Sequence, residues 1–164
     1  MEAILMKRYL LGVVCLLVLV VSFQNPSYSQ VTGMIGGKLG LGIADGNAGF
    51  LIGPGGEVIF SKRFAISSEI NISTSTGTPV DWSNYFKALL SVPGSSIRPY
   101  VDGGISLLFY TGGPYFGLRF GGGALFPIAR DLYAMGDLQL GPSFGGGTGV
   151  FILTMTGGIR YEIR

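Results

Sequence analysis

Hydrophobic and polar residues alternate with period two along most of this chain, most cleanly over residues 149–163, Gly-Val-Phe-Ile-Leu-Thr-Met-Thr-Gly-Gly-Ile-Arg-Tyr-Glu-Ile. Phe151, Leu153, Met155, Ile159, Tyr161 and Ile163 fall on one side of an extended chain, with Thr154, Thr156, Arg160 and Glu162 on the other. That is the signature of a strand with one apolar face, and its length suggests one that spans a membrane. From Val31 onward the pattern recurs in eight segments: 31–43, 50–61, 64–73, 84–92, 97–110, 115–128, 132–144 and 149–163. Clusters of Gly, Pro, Asn, Asp and Ser separate them, the residues that favour turns. The joints at one end, 62–63, 93–96 and 129–131, are short; those at the other are 44–49, 74–83, 111–114 and 145–148, the second being longest. Neither a linker nor a second composition regime appears, so 30–164 reads as one domain.

Splitting each segment by parity separates the charges completely. One face carries residues such as Ile35, Leu39, Ile52, Ile70, Leu107, Phe120 and Leu138, without a single Lys, Arg, Asp or Glu. The other carries Lys38, Glu57, Glu69, Lys87, Arg98, Asp102, Arg119, Asp137, Arg160 and Glu162, five basic and five acidic. Asp45, Lys62, Arg63, Asp81, Arg130, Asp131 and Arg164 fall in the joints or at the terminus on this reading.

Parity alone leaves open which face points outward, since a secreted lipocalin-like lipid carrier is apolar inside and polar outside. Three features favour apolar-out. The polar faces hold Gly36, Gly40, Gly42, Gly104, Gly117, Gly121 and Gly123, which weaken a solvated strand but leave room for large side chains in a narrow lumen. Charges in equal number suit a closed interior in which each ion needs a partner. Aromatic residues gather toward strand ends, with Phe50, Phe86, Phe109, Phe116, Phe144 and Phe151 expected at one rim and Phe60, Phe64, Phe126 and Tyr161 at the other, as interfacial girdles. The expected fold is therefore all-β, an antiparallel up-and-down transmembrane barrel of eight strands.

Composition agrees. Charged residues make up 12 % of the 164, about half the ~25 % of soluble domains. Near the N-terminus, Lys7 and Arg8 precede the apolar run Tyr9 to Val21, and Ser27-Tyr28-Ser29 follows; residues 1–29 read as a cleaved signal peptide. The single cysteine, Cys15, lies inside that run, so the mature chain has no disulfide or thiol nucleophile. There is no histidine, which excludes Ser-His-Asp and Cys-His catalysis and histidine metal sites. The pairs Glu57/Glu69 and Asp102/Asp137 have acid–base potential in principle, but carboxylates among five cations read first as ion-paired structure. Asp45 and Asp81 with Asn47 and Asn84 lack the ligand spacing of a calcium loop, and the glycine runs lack the sequel of a phosphate loop. The dispersed basic residues make no nucleic-acid surface. No catalytic, cofactor or metal site is expected.

The closing residues Thr156-Gly157-Gly158-Ile159-Arg160-Tyr161-Glu162-Ile163 resemble the closing-strand assembly signal of the OmpA/OmpX-type family of small eight-stranded outer-membrane barrels, and the resemblance covers essentially all of 31–164. It implies export to the outer membrane, contact with its lipid, and reading of Thr156, Gly158, Tyr161 and Ile163 by the insertion machinery. Two features depart from the family: the chain continues to Arg164, and Gly53-Pro54-Gly55-Gly56 interrupts the second segment, where proline cannot donate to a ladder and a bulge is expected, the alternative being a turn that would alter the strand count. The reading that follows is an integral barrel with a structural or surface role and a lumen filled by side chains. The alternatives are a surface-loop binding or adhesion protein, with Trp82 of the 74–83 loop as contact for a surface ligand, and the lipocalin-like carrier.

Overall fold

The computed structural model describes residues 31–74, 79–110 and 113–163; the expected leader with Cys15, most of the 74–79 loop and the terminal Arg164 lie outside them. Eight strands form: β1 (Thr32–Ala44), β2 (Asn47–Ile59), β3 (Phe64–Ser73), β4 (Val80–Leu89), β5 (Arg98–Tyr110), β6 (Gly113–Ala129), β7 (Leu132–Gly145) and β8 (Thr148–Ile163). Each pairs antiparallel with its neighbours in sequence, and β8 returns to β1 to close the ring. That seam runs in register from Gly33 opposite Ile163 to Ala44 opposite Ile152. We call the end holding the start of β1 and the end of β8 the base, and the opposite end the mouth.

Parity sorts the wall as the alternation requires. Val101, Ile105, Leu39 and Phe120 stand on the outside, about half exposed, while Lys38, Glu69, Arg119 and Arg160 are buried inside. The lipocalin-like arrangement is thereby excluded. Two-residue hairpins close the mouth at Asp45-Gly46 (φ 48° and 77°) and Gly146-Gly147 (φ 55° and 78°), the left-handed pairs of the turn type whose twist matches that of the strands.

Several expectations are corrected. β4 begins at Val80 rather than 84, because Asp81, Ser83 and Tyr85 face the lumen and the segment's polar look is simply its inner face. Asp81 is thus a lumen charge, and Trp82 is a wall residue on the outer face. The loop shrinks to 74–79, and the longest connection is 90–97, at the base. The shift also carries Phe86 to the base rim, where its ring lies 5.4 Å from that of Phe64 and 6.2 Å from that of Phe60. Trp82 donates its indole N–H to Ser68 Oγ at 3.0 Å, which satisfies a donor that hydrocarbon cannot. Asn84 faces outward while Asp81 faces inward, so no calcium loop is built there.

Gly53-Pro54-Gly55-Gly56 is neither bulge nor turn. β2 runs straight through it opposite β1, with Pro54 paired to Gly37, while the ladder to β3 omits the pairs between Ile52–Ile72 and Gly55–Glu69. The same device recurs at Gly141-Pro142 of β7. Its register with β8 is unbroken, and the ladder to β6 omits the pairs between Gly117–Ser143 and Phe120–Leu140. Each proline thus lacks its donor on one side only. The register shift falls instead between Pro127 and Ala129 of β6.

Glycines in the wall answer two different demands. At the seam, a Cβ on Gly36 or Gly40 would stand 1.9 Å from Ile159 O or 2.1 Å from Met155 O, so the strands approach too closely there for any side chain. At Gly55 and Gly117 a Cβ would instead meet Arg160 Nη1 at 2.7 Å or Ser106 Oγ at 2.4 Å; these two make room for lumen side chains.

Ile105→Arg, on the outer face of mid-β5, is expected to cost ~2–4 kcal/mol, as an arginine facing lipid near the midplane does. Ser95→Arg, in the exposed 90–97 connection, should stay within about 0.5 kcal/mol. Urea unfolding in lipid vesicles measures both, and equal tolerance would contradict a lipid-facing outer wall.

Candidate functional site: the lumen

The bore is layered. Toward the base, Met34, Ile59, Ala65, Leu89, Tyr100, Leu125, Tyr133 and Met135 form one buried apolar cluster, contributed by all the strands but β8. These positions lie near the base ends of their strands and point inward by parity, so their side chains meet across the bore.

Above this plug lies an ionic layer. Glu69 of β3 is bracketed by two cations: Lys38 of β1 donates to Oε2, and Arg160 of β8 donates through Nη2 to Oε1 at 2.6 Å. Lys87 of β4 donates to Glu57 Oε2 of β2 at 2.7 Å and stands 4.5 Å over the Tyr100 ring. Gln139 of β7 holds two carboxylates at once, with Nε2 2.7 Å from Asp137 Oδ1 and 2.9 Å from both oxygens of Asp102. Asp102 and Asp137 thus share an amide rather than facing one another as an acid–base pair. Glu57 and Glu69 each have their own cation.

Arg119 is fully buried on β6. Parity suggests Asp102 or Asp137 as its partner, but register places those beside Gly121 and Gly123, nearer the base. The guanidinium turns the other way: Nη2 lies 3.7 Å from Asp81 Oδ2 of β4, and Nη1 donates to the carbonyls of Leu118, Gly141 and Pro142 at 3.2, 3.4 and 3.5 Å. Asp81 itself accepts from Ser83 Oγ at 2.9 Å.

The remaining expected lumen charges sit at the base opening. Arg98 is exposed and lies 5.4 Å over the Tyr133 ring, whose hydroxyl donates to Glu162 Oε2 at 3.0 Å. Of the closing-strand residues, Thr156 is buried in the lumen, and Tyr161 and Ile163 face outward about half exposed. A Cβ on Gly158 would meet Gly37 O at 2.3 Å. Trp82, tied to Ser68, is not a loop contact. Sequence reasoning missed Asp81 and Gln139 as partners in the bore, and Tyr100 as the plug residue beneath Lys87; all three lie on inward parity, but the strand bounds or the register decide what they touch. Among the described residues no group of three or more Asp or Glu could hold a metal ion.

This geometry predicts unequal costs for two similar lysines. Lys87→Met leaves Glu57 without a cation, and breaking a buried pair this way costs ~3–5 kcal/mol. Lys38→Met leaves Glu69 still held by Arg160 and is expected to cost clearly less. Lys87→Met with Glu57→Gln should cost less than its two singles summed, since contacting residues are not additive. Equilibrium unfolding of the four variants reads the ranking, and equal costs for the lysines would contradict the pairing.

No protein-family model matches the chain, and no curated protein matches it in sequence. Solved structures do. The crystal structure of the N-terminal β-barrel domain of Pseudomonas aeruginosa OprF is similar over 80 % of this chain and 100 % of that one, at 14 % identity and a TM-score of 0.60. Neisserial surface protein A is similar over 82 % and 98 %, at 14 % identity and 0.58. The P. aeruginosa outer membrane protein OprG is similar over 83 % and 97 %, at 9 % identity and 0.52. At such identities the likeness is one of fold, and it agrees with the OmpA/OmpX-type resemblance of the closing strand: the chain has the fold of the small eight-stranded outer-membrane β-barrels.

Proposed function

We propose that this protein is an integral barrel of the outer membrane with a structural role, its lumen closed to free diffusion and carrying no catalysis. The observation that supports this most strongly is the base plug: Met34 and Leu125 are 1 % exposed and Tyr100 2 %, so apolar side chains close the bore beneath the ion-paired layer. Eight strands enclose a space that side chains can just fill, and at the level of the plug and the ionic layer this chain fills it. The apolar outer wall supports residence in a bilayer. Export through residues 1–29, and reading of the closing strand by the insertion machinery, belong to the same proposal. Among the described residues the mouth connections at 45–46 and 146–147 are two residues long and offer little surface for adhesion, which supports the structural reading over surface-loop binding.

In planar bilayers the protein is expected to give no ion-conducting steps. A plug variant, Met34→Ala with Tyr100→Ala and Leu125→Ala, should conduct if it inserts. Steps from the unaltered protein would overturn the closed lumen. The mouth is expected outside the cell: Asn47→Cys should label in intact cells with a membrane-impermeant maleimide, and Ser95→Cys only after lysis. The reverse pattern would invert the topology, and recovery in the soluble fraction would reject the membrane barrel.

A further inference from the structure

The outer wall is apolar with one exception at mid-height. Among the described residues, Ser68 and Asn84 are the outward strand positions that carry a hydroxyl and a carboxamide; the Trp82 indole and the Tyr161 phenol are the other polar groups on that surface. Ser68 of β3 and Asn84 of β4 lie opposite one another, and Asn84 lies opposite Ile105 of mid-β5, so the pair stands where the wall faces the middle of the bilayer. Trp82 has a partner within the wall, since its N–H goes to Ser68 Oγ at 3.0 Å. Asn84 has none: among the described residues nothing hydrogen-bonds to its carboxamide. Hydrocarbon holds no water to take up those groups, and leaving them unmet is costly.

The neighbouring strand β2 adds a second observation. Pro54 and Gly56 face outward there, Gly56 opposite Ser68, and they leave a low strip beside the polar pair. Small residues of this kind let another backbone come close within a membrane. The barrel itself does not require the glycine: a Cβ at Gly56 would meet nothing nearer than Met34 O at 3.7 Å, an ordinary contact. This sets Gly56 apart from Gly36 and Gly40, where the seam leaves no room for a side chain.

We propose that the outer face of β2–β4 docks a second copy of this chain within the membrane, Asn84 of one copy against Asn84 of the other. Two copies inserted in the same sense are related by a two-fold axis along the bilayer normal, which brings residues of equal height together. A carboxamide holds both donors and an acceptor, so two of them about that axis satisfy one another reciprocally, N–H to Oδ1 in each direction. The Ser68 O–H remains as a further donor beside them. Lipid tails offer no such groups at this height, and a self-complementary patch is what a two-fold pair needs. The inference rests on the membrane residence proposed above and is independent of the plug.

The test places the protein in phosphatidylcholine vesicles, with insertion checked by flotation and folding by heat-modifiable gel mobility. A protein that does not float overturns the membrane barrel itself, and is thereby told apart from one that inserts and does not pair. In a Cys15→Ser background, Ser95→Cys in the connection that follows β4 carries a donor dye on one population and an acceptor dye on another. Energy transfer is expected to persist on dilution with lipid, well past the level that random encounters give. Asn84→Leu makes the wall more apolar and leaves the barrel folded; it should weaken pairing by about tenfold, the worth of one or two hydrogen bonds inside a membrane. Gly56→Phe should abolish pairing by holding the copies apart. Gly136→Phe, on the outer face of β7 across the barrel, where a Cβ meets nothing within 4 Å, should pair as the unaltered protein does. Transfer at the random-encounter level throughout would leave the face to lipid or to a different membrane protein and overturns the proposal. Undiminished pairing of Asn84→Leu and Gly56→Phe, or a loss in Gly136→Phe equal to theirs, overturns it as well.

Discussion

The β1–β8 seam is the constraint on which the rest of the structure depends. In hydrocarbon an unpaired backbone N–H or C=O has no water to turn to, so a sheet can cross a bilayer only if it has no edge. The seam removes the last two edges at once, and it does so at close quarters. Gly36 and Gly40 let β1 approach β8 to distances at which a Cβ would strike the carbonyls of Ile159 and Met155. Once the ring is closed, every strand residue must face either lipid or bore, so a charge within the wall goes to the bore and any other to a connection.

This explains why so much was legible from the sequence. Period-two alternation fixes a face for each residue, and the inward glycines, the balanced charges of the polar face and the aromatics at the strand ends identify the other face as the lipid side. What parity does not convey is the bounds of a strand whose inner face is polar and whose outer face carries a tryptophan. Asp81-Trp82-Ser83-Asn84 looks like a loop in sequence because polar residues crowd together, yet Asp81 and Ser83 point into the bore and Trp82 into the wall. Nor does parity convey height. Arg119 and the carboxylates Asp102 and Asp137 all face inward, but register sets them at different levels, and a long guanidinium chooses among levels that the sequence does not display. Glycine is ambiguous in the same way: Gly36 and Gly55 both face inward, one because backbones meet there and the other because Arg160 needs the space.

The layering of the bore has an electrostatic logic. Buried ion pairs recover their desolvation cost only when partners are close and well oriented, and the pairs at Glu69 and Glu57 link strands that are not neighbours: β1 and β8 to β3, and β4 to β2. They act as cross-braces within the ring. The apolar plug below separates these pairs from the base opening, and an apolar surround strengthens them by lowering the local dielectric.

The two Gly-Pro interruptions give the wall an uneven strength. Viewed as a hoop held against the lateral pressure of the bilayer, the barrel is as strong as its weakest joint, and a joint is weakest where rungs of the ladder are missing. At Gly141-Pro142 the guanidinium of Arg119 bridges the gap, donating to carbonyls of both strands. At Gly53-Pro54 the facing residues are Ile70 and Asn71, and Asn71 leaves its side-chain oxygen unbonded. The joint between β2 and β3 is therefore the one at which the hoop yields first, and it yields at the height of the ionic layer, where Gly53 lies opposite Lys38, rather than beside the plug at the base.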